Sequence, residues 1–165
     1  MKILLVAINA KYIHSNLAVH SLEAYAQSYY MPQEGSTVLV TDIAEYTVNQ
    51  QPDQILMDIY RRKPDVICFS CYIWNIAYVE DMARELKKIC PDTHIWLGGP
   101  EVSYDAPDVL RRLPEVSGVM RGEGEETFTK LCSIYCTKGL SGAADEFGPV
   151  NGITYRGLDG GISEN

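Results

Sequence analysis

The feature that most constrains the fold of this chain is a regular alternation between short apolar runs and segments with helical periodicity. The apolar runs are rich in β-branched residues, and they stand at Ile3–Ile8, Thr37–Thr41, Val66–Ser70, His94–Leu97 and Val116–Met120. They recur at intervals of roughly 30 residues, which is the length of a strand–helix–strand unit. Because strands joined by helices pair in parallel, the alternation predicts a parallel sheet.

The segments between the runs carry the apolar spacing and the end signals of helices. Ser15 or Asn16 can cap a first helix that runs to about Tyr29. The other predicted helices are Pro52–Arg62, Ile76–Ile89, Ala106–Leu113 and Glu125–Cys136. The predicted strands are continuously apolar, as in sheets that helices cover on both faces. The fold class is therefore α/β, a flavodoxin-like (Rossmann-like) doubly wound parallel sheet of order 2-1-3-4-5, whose ligand crevice opens beside the first and third strands.

The C-terminal tail departs from this alternation. Lys138–Pro149 is rich in glycine and is predicted to be a loop, and Gly152–Arg156 then has the composition of a strand. Gly157–Gly161 forms a turn, and Ile162–Asn165 begins a return strand, so the tail predicts a β-hairpin appended to the sheet. We divide the chain into an α/β domain at residues 1–148 and a hairpin and linker at residues 149–165. Because the return strand has barely begun at Asn165, we expect a further domain beyond it.

Composition excludes several classes of function. The formal charge is −8 and the pI about 4.8, whereas a nucleic-acid surface needs a basic patch. The sequence contains neither an apolar run long enough for a membrane span nor a signal peptide, so we expect a cytoplasmic protein. The five cysteines include a Cys68-x-x-Cys71 pair inside an apolar run. Residues three apart in a strand point to opposite faces, so we interpret these thiols as core residues rather than as half of a zinc site.

In this architecture function is found in the loops after the strands. The loop Asn9–Asn16 is long and carries polar and aromatic side chains. Tyr72 and Trp74, after the third strand, either wall a flat ligand or pack under the neighbouring helix. Gly98 and Gly99 either let the backbone approach a ligand closely or form an ordinary tight turn. The loop Gly122–Thr127 carries three glutamates, which would repel a pyrophosphate, so we exclude a nucleotide phosphate there.

Two of these loops resemble a known family. Gly98-Gly99-Pro100-Glu101-Val102, together with the string from Arg121 to Phe128, is similar to the N-terminal cobalamin-binding domain of radical S-adenosylmethionine enzymes. That class includes cobalamin-dependent radical methylases and the anaerobic magnesium-protoporphyrin monomethyl ester cyclase. Asp65–Ser70 and Val150–Arg156 are similar too, and in the family the second string leads into the catalytic domain.

The resemblance implies a cofactor and a set of residues that contact it. In the family the corrin lies over the carboxyl ends of the strands, against the loops after strands one, three, four and five. The cofactor-binding residues so implied are Asn9, Tyr12, His14, Ser15, Asn16, Ser70, Tyr72, Trp74, Gly98, Gly99, Pro100, Glu101, Gly122, Glu123 and Gly124. The resemblance implies no catalytic residue and no metal ligand in this chain.

The chain also departs from some cobalamin proteins. A histidine that ligates cobalt stands in D-x-H-x-x-G, but here Tyr12 precedes His14 by two residues and Leu17 follows it by three. We therefore expect cobalamin without histidine ligation through that motif. The C-x-x-x-C-x-x-C spacing that holds a radical iron–sulfur cluster is absent from the five cysteines.

The missing cysteine motif sets the expected partners. We expect the iron–sulfur cluster and S-adenosylmethionine in a C-terminal radical domain of the same chain, which would act on a small-molecule substrate by methyl transfer or radical chemistry. Residues 1–165 alone would then catalyse nothing. Two alternatives remain at this point. One is a structural or substrate-recognition domain with the same fold and no cofactor, and the other is a self-contained enzyme that uses a small organic ligand.

Overall fold

A computed structural model of the chain describes residues 1–11 and 15–165. The strands are β1 (Lys2–Asn9), β2 (Val40–Thr47), β3 (Val66–Ser70), β4 (His94–Gly98), β5 (Gly118–Met120), β6 (Ile153–Arg156) and β7 (Ile162–Glu164). The helices are α1 (Leu17–Tyr29), α2 (Pro52–Arg62), α3 (Ile76–Ile89), α4 (Pro100–Ser103), α5 (Ala106–Arg112) and α6 (Glu125–Ala143). Tyr12 and His14, two predicted site residues, lie outside the described residues.

The strands form one sheet in the order β2-β1-β3-β4-β5-β6-β7. The pairs from β2 to β5 are parallel, which confirms the predicted order 2-1-3-4-5. β6 pairs antiparallel with β5, and β7 pairs antiparallel with β6, so the predicted hairpin extends the sheet. All five parallel strands end at one edge of the sheet, which we call the carboxyl edge.

Two apolar layers cover the sheet. Leu4, Val6 and Ile8 of β1 pack in one layer with residues of α2, α3, α4 and α5, whereas Ile3 and Leu5 pack in the other with residues of α1 and α6. This strict alternation along β1 explains why the strand is apolar at every position from Ile3 to Ile8, since both of its faces are buried.

The cysteines follow the same rule. Cys68 belongs to the layer under α1 and α6, and Cys71 belongs to the opposite layer. Cys132 is also buried. The interpretation of Cys68 and Cys71 as core residues on opposite faces is therefore confirmed.

Two predictions of secondary structure were wrong, and one element was not predicted. The second strand is β2, from Val40 to Thr47, and not Thr37–Thr41; as an edge strand it carries polar residues that hide it from a search for apolar runs. Helix α6 continues to Ala143, through half of the predicted glycine-rich loop, because Ala143 is buried in the core, and the chain bends at Gly139, whose φ is +69°. After β4 the chain forms the short helix α4, which was not predicted from the sequence.

The helix ends agree with the sequence signals. Asn16 caps α1, because its side-chain oxygen accepts hydrogen bonds from the N–H groups of Ala18 and Val19. Arg61 and Arg62 stand in the last turn of α2, where cations suit the helix dipole. Within residues 1–11 and 15–165, the helices are all too short or too polar to cross a membrane.

Candidate functional site

A cleft of about 410 Å³ opens at the carboxyl edge, between the first turns of α1 and the loops after β3, β4 and β5. Its walls are apolar side chains and glycine backbone, with two carboxylates at one side. The lining residues are Leu5, Ala18, Val19, Leu22, Cys68, Phe69, Ser70, Gly98, Gly99, Met120, Gly122, Glu123, Gly124 and Glu125. Six of the predicted site residues line the cleft: Ser70, Gly98, Gly99, Gly122, Glu123 and Gly124.

Gly99 brings the backbones after β3 and β4 into close contact. Its φ is +108°, and a Cβ atom at this position would stand 2.5 Å from the carbonyl oxygen of Cys71. The N–H of Cys71 donates to the carbonyl of Gly98 at 2.7 Å, so the two loops are joined directly. Only glycine satisfies both the positive φ and the contact, which explains this residue without reference to a ligand.

Gly98 has a different environment. A Cβ atom there would meet Met120 atoms at 3.6 Å or more, which is ordinary van der Waals contact. The glycine therefore leaves open a space that a side chain could fill, and this space belongs to the cleft. Of the two glycines, Gly99 shapes the loop and Gly98 leaves room for a ligand.

The charge of the cleft is negative. Glu123 and Glu125 line it, and the described lining residues include no lysine, arginine or histidine. Glu125 accepts a hydrogen bond from the Ser21 hydroxyl at 2.7 Å, which joins the first turn of α6 to α1. Carboxylates near the start of α6 suit the positive end of that helix and would repel an anion.

Buried polar side chains and the half-buried Glu45 join the ends of β2, β1 and β3. We call this set the edge network; it consists of Asn9, Asn16, Glu45, Ser70 and Asn75. Asn9 donates to the Glu45 carboxylate at 3.1 Å, and Asn16 donates through its side chain to the Ser70 hydroxyl at 3.2 Å. Asn75 is only 1% exposed, and its amide donates to the carbonyls of Ile8 and Ser70 at 3.0 and 2.9 Å. The network fixes the ends of β1 and β3 and the start of α1 relative to one another.

Glu45 is ionised within this network. Its burial would raise the pKa, but hydrogen bonds from the Asn16 N–H, from Asn9 and from His20 outweigh that effect and lower it. The Asn16 N–H donates to Oε1 at 2.6 Å, and His20 Nε2 lies 3.2 Å from Oε2.

The aromatic pair after β3 does not sit in the core. The rings of Tyr72 and Trp74 stack at 4.5 Å with an interplanar angle of 6°, and Trp74 is 47% exposed. Ile73 between them is 77% exposed, Leu17 at the start of α1 is 81% exposed, and Tyr104 at the end of α4 is 95% exposed. Large apolar side chains therefore stand in the solvent in three segments that follow strand ends. Exposed apolar side chains also stand elsewhere, as at Tyr29 and Tyr60, so those named above are of interest for their place after strand ends and not for their exposure alone.

The model of the B12 binding domain family matches residues 3–132 of this chain. That range begins in β1, ends in α6 and contains every loop that borders the cleft. The chain belongs to the B12-binding domain family. The resemblance that the glycine-containing motifs indicated is therefore confirmed.

Curated relatives of this B12-binding domain are much longer than it. It is 38% identical over 68 residues to the 2-(S-pantetheinyl)-carbapenam-3-carboxylate methyltransferase of Streptantibioticus cattleyicolor. This matched stretch is 41% of this chain and 10% of the relative. It is 33% identical over 69 residues to the cobalamin-dependent radical SAM methyltransferase TokK of Streptomyces tokunonensis, which is 42% of this chain and 10% of TokK. It is 30% identical over 110 residues to the anaerobic magnesium-protoporphyrin IX monomethyl ester cyclase of Rubrivivax gelatinosus, which is 67% of this chain and 19% of the cyclase.

The fold of the B12-binding domain also occurs in a solved structure. The apo form of OxsB, a cobalamin-dependent S-adenosylmethionine radical enzyme, superposes with a TM-score of 0.69 over 99% of this chain and 22% of the OxsB chain. The sequence identity is 21%, so the likeness concerns the fold.

The other predicted site residues of the B12-binding domain take different places. Asn9 and Asn16 belong to the edge network, and Tyr72 and Trp74 form the exposed stack. Ser15 and Pro100 are exposed, and Glu101 is half-buried in α4. The sequence prediction missed eight lining residues of the cleft and two members of the network: Leu5, Ala18, Val19, Leu22, Cys68, Phe69, Met120 and Glu125 of the cleft, and Glu45 and Asn75 of the network. Asn75 directly precedes a predicted helix, and this position was the one signal in the sequence that could have indicated its role.

The histidines and the thiol nearest to the cleft, among the described residues of the B12-binding domain, are not placed or charged to ligate a metal there. Burial raises the pKa of the Cys68 thiol to about 12, so this lining residue is protonated at neutral pH. His20 pairs with Glu45, and His94 stands at the opposite end of its strand. No group of three or more histidine, cysteine or acidic side chains among residues 1–11 and 15–165 could hold a metal ion.

Proposed function

We propose that this domain binds cobalamin at its carboxyl edge and presents it to a catalytic domain of the same protein. The observation that carries the proposal is the cleft at the carboxyl edge, with its glycine backbone and its apolar lining. Its glycine backbone, at Gly98 and Gly122, can approach a ligand closely. Its apolar walls suit a flat heteroaromatic group of the cofactor, whereas its two carboxylates do not suit a phosphate. The exposed Trp74 and Tyr104 suit the broad face of a corrin.

The residues of the chain would hold and orient this cofactor rather than react with it. When bound, cobalamin supplies a cobalt centre that can carry a methyl group or change oxidation state. Tyr72 and Trp74 would contact the corrin, and the edge network would hold the ends of β1 and β3 in place beside it. Cys68 is protonated and buried, so its thiol would contribute packing and not a bond to cobalt.

The expectation of binding without histidine ligation stays a prediction. It rests on the residues around His14, which lies outside the described part of the chain. Labelling of the protein with nitrogen-15 tests this prediction, because only a protein imidazole bound to cobalt would add the splitting of that isotope to the electron paramagnetic resonance of the reduced cofactor. We expect no imidazole nitrogen signal from the protein.

The context that we propose is a larger radical enzyme. Residues 1–148 would be the cobalamin-binding unit, and residues 149–165 would lead to a domain with the iron–sulfur cluster and S-adenosylmethionine, acting on a small molecule. Support comes from relatives named as a radical SAM methyltransferase and a cyclase, of which the matched stretches are 10% and 19%. A cytoplasmic location stays a prediction. Family membership does not favour the alternative of a domain without cofactor.

Titration with hydroxocobalamin tests the binding proposal. The visible spectrum of the cofactor should change on addition of residues 1–165, and protein and cofactor should elute together. Gly98→Val should weaken binding at least tenfold, because it fills the cleft at a position where a Cβ atom meets no close contact.

The matched control is Gly148→Val, at a glycine with open space around it and outside the cleft. This variant should bind like the wild type. An unchanged spectrum and separate elution at high concentrations of wild-type protein would reject the proposal.

A further inference from the structure

The carboxylate of Glu45 receives three donors at the carboxyl end of β2. Oε1 accepts from the backbone N–H of Asn16 at 2.6 Å and from the Asn9 side chain at 3.1 Å. Oε2 lies 3.2 Å from Nε2 of His20 on α1. One side chain on the edge strand therefore contacts the end of β1, the cap of α1 and the exposed face of α1.

We infer that Glu45 is a positioning residue for the cleft, acting through Asn16, and this inference rests on the proposed function. Glu45 does not line the cleft itself. No motif of the sequence indicates it, and it lies outside the loops that the family resemblance implies. Its role follows from the hydrogen bonds alone.

The path from Glu45 to the cleft has two branches, and both leave from Asn16. The side-chain oxygen of Asn16 accepts from the N–H groups of Ala18 and Val19 at 3.1 and 3.4 Å, and both of these residues line the cleft. The side-chain amide of Asn16 donates to the hydroxyl of Ser70, a third lining residue. Because Glu45 holds the backbone of Asn16, it sets the position of one wall relative to the other.

A carboxylate holds the backbone of Asn16 better than the side chains of glutamine or alanine would. Two donors converge on one of its oxygens, and hydrogen bonds to an ionised acceptor are about twice as strong as neutral ones. Glutamine would keep a neutral acceptor for the same donors. Alanine would leave the buried Asn9 amide and the Asn16 N–H without an acceptor, which is costly for buried groups.

Amide hydrogen exchange in the ligand-free protein tests the positioning directly. In Glu45→Ala the amides of Ala18 and Val19 should exchange about tenfold faster, because their acceptor Asn16 is released. Glu45→Gln should restore part of the protection. Even if the alanine variant does not fold, the glutamine variant decides, with exchange about two- to fivefold faster than in the wild type.

Asp42→Asn is the matched control. Asp42 stands on the same strand, and its carboxylate pairs with Arg62 at 3.0 Å, away from the cleft. The substitution removes the same charge and breaks a comparable contact. Exchange at Ala18 and Val19 should stay within twofold of the wild-type rate, even if the global stability falls.

Hydroxocobalamin titration supplies the second measurement. Glu45→Ala should raise the Kd about tenfold, Glu45→Gln should raise it less, and Asp42→Asn should leave it unchanged. Unchanged exchange at Ala18 and Val19 in both Glu45 variants, or an equal effect of Asp42→Asn, would overturn the inference. If the wild type fails to bind cobalamin while exchange responds to Glu45, the proposed function fails and the positioning of α1 by Glu45 stands.

Discussion

At the scale of single residues, the most demanding contact lies between Gly118 and Trp96. Trp96 is fully buried, and its indole N–H donates to the Tyr135 hydroxyl at 2.7 Å. A Cβ atom at Gly118 would stand 2.4 Å from the six-membered ring of Trp96. The glycine therefore makes room for the largest side chain of the core, and the hydrogen bond to Tyr135 prevents that side chain from moving aside.

Gly118→Ala should consequently destabilise the domain by about 1–3 kcal/mol, the usual cost of overpacking a core. The free energy of unfolding from denaturant titration measures this cost. Gly148→Ala, where a Cβ atom has open space, serves as the control and should change the stability little. A wild-type midpoint in Gly118→Ala would show that Trp96 can move.

His94 should make the stability depend on pH. Burial, with a smaller effect of the Lys87 charge, lowers the pKa of His94 to about 4. The unfolded chain has the ordinary histidine pKa near 6.5, so it binds a proton between these values while the folded state does not. The contribution of His94 to the free energy of unfolding is complete above about pH 6.5 and is lost as the pH falls toward 4.

The measurement is the free energy of unfolding at several pH values between 4 and 7. His94→Gln should reduce the slope of the free energy of unfolding against pH by the amount that corresponds to at most one bound proton. Equal slopes in the variant and the wild type would mean that His94 titrates normally in the folded protein.

At the scale of elements, α6 combines two glycines with opposite requirements. Gly139 breaks the helix with φ +69° and ψ −177°, a conformation that is almost restricted to glycine. Gly142 lies in the helical piece that follows, and a Cβ atom there would make only an ordinary contact with Lys138 at 3.5 Å. The break lets the second piece turn so that Ala143 is buried.

Alanine at these two positions should therefore have opposite effects. Gly139→Ala should cost about 1–3 kcal/mol through backbone strain, whereas Gly142→Ala should stabilise the domain by about 0.5–1 kcal/mol. Denaturant titration of the two variants side by side measures both. The same sign of change in both variants would contradict the assigned conformations.

At the scale of the whole molecule, the sheet brings distant segments to one edge. The loops after β1, β3, β4 and β5 meet there because parallel strands all end on the same side. The last strand, β7, also runs toward this edge, since it is antiparallel to β6. The cleft and the end of the hairpin thus share one side of the molecule.

Binding of cobalamin at this edge should stabilise the whole fold. A ligand present at 100 times its Kd adds about 2.7 kcal/mol to the free energy of unfolding when it binds only the native state. Thermal unfolding with and without hydroxocobalamin measures this shift, and Gly98→Val should remove it. A shift of equal size in that variant would place the binding site elsewhere.

By itself the sequence determined the sheet, its strand order and the loops in which we expect a ligand to bind. Val66–Ser70 was predicted to the residue because a buried parallel strand is apolar on both faces, and Pro52–Arg62 because its ends carry helix signals. Only the tertiary structure decided the position of β2, the continuation of α6 and the edge network. Glu45 meets Asn16 across 29 positions of the chain, and Asn16 meets Ser70 across 54. Periodicity and capping report local preferences, whereas such pairs exist only once the strands are packed, so the sequence located the loops of the site and the fold determined how they are joined.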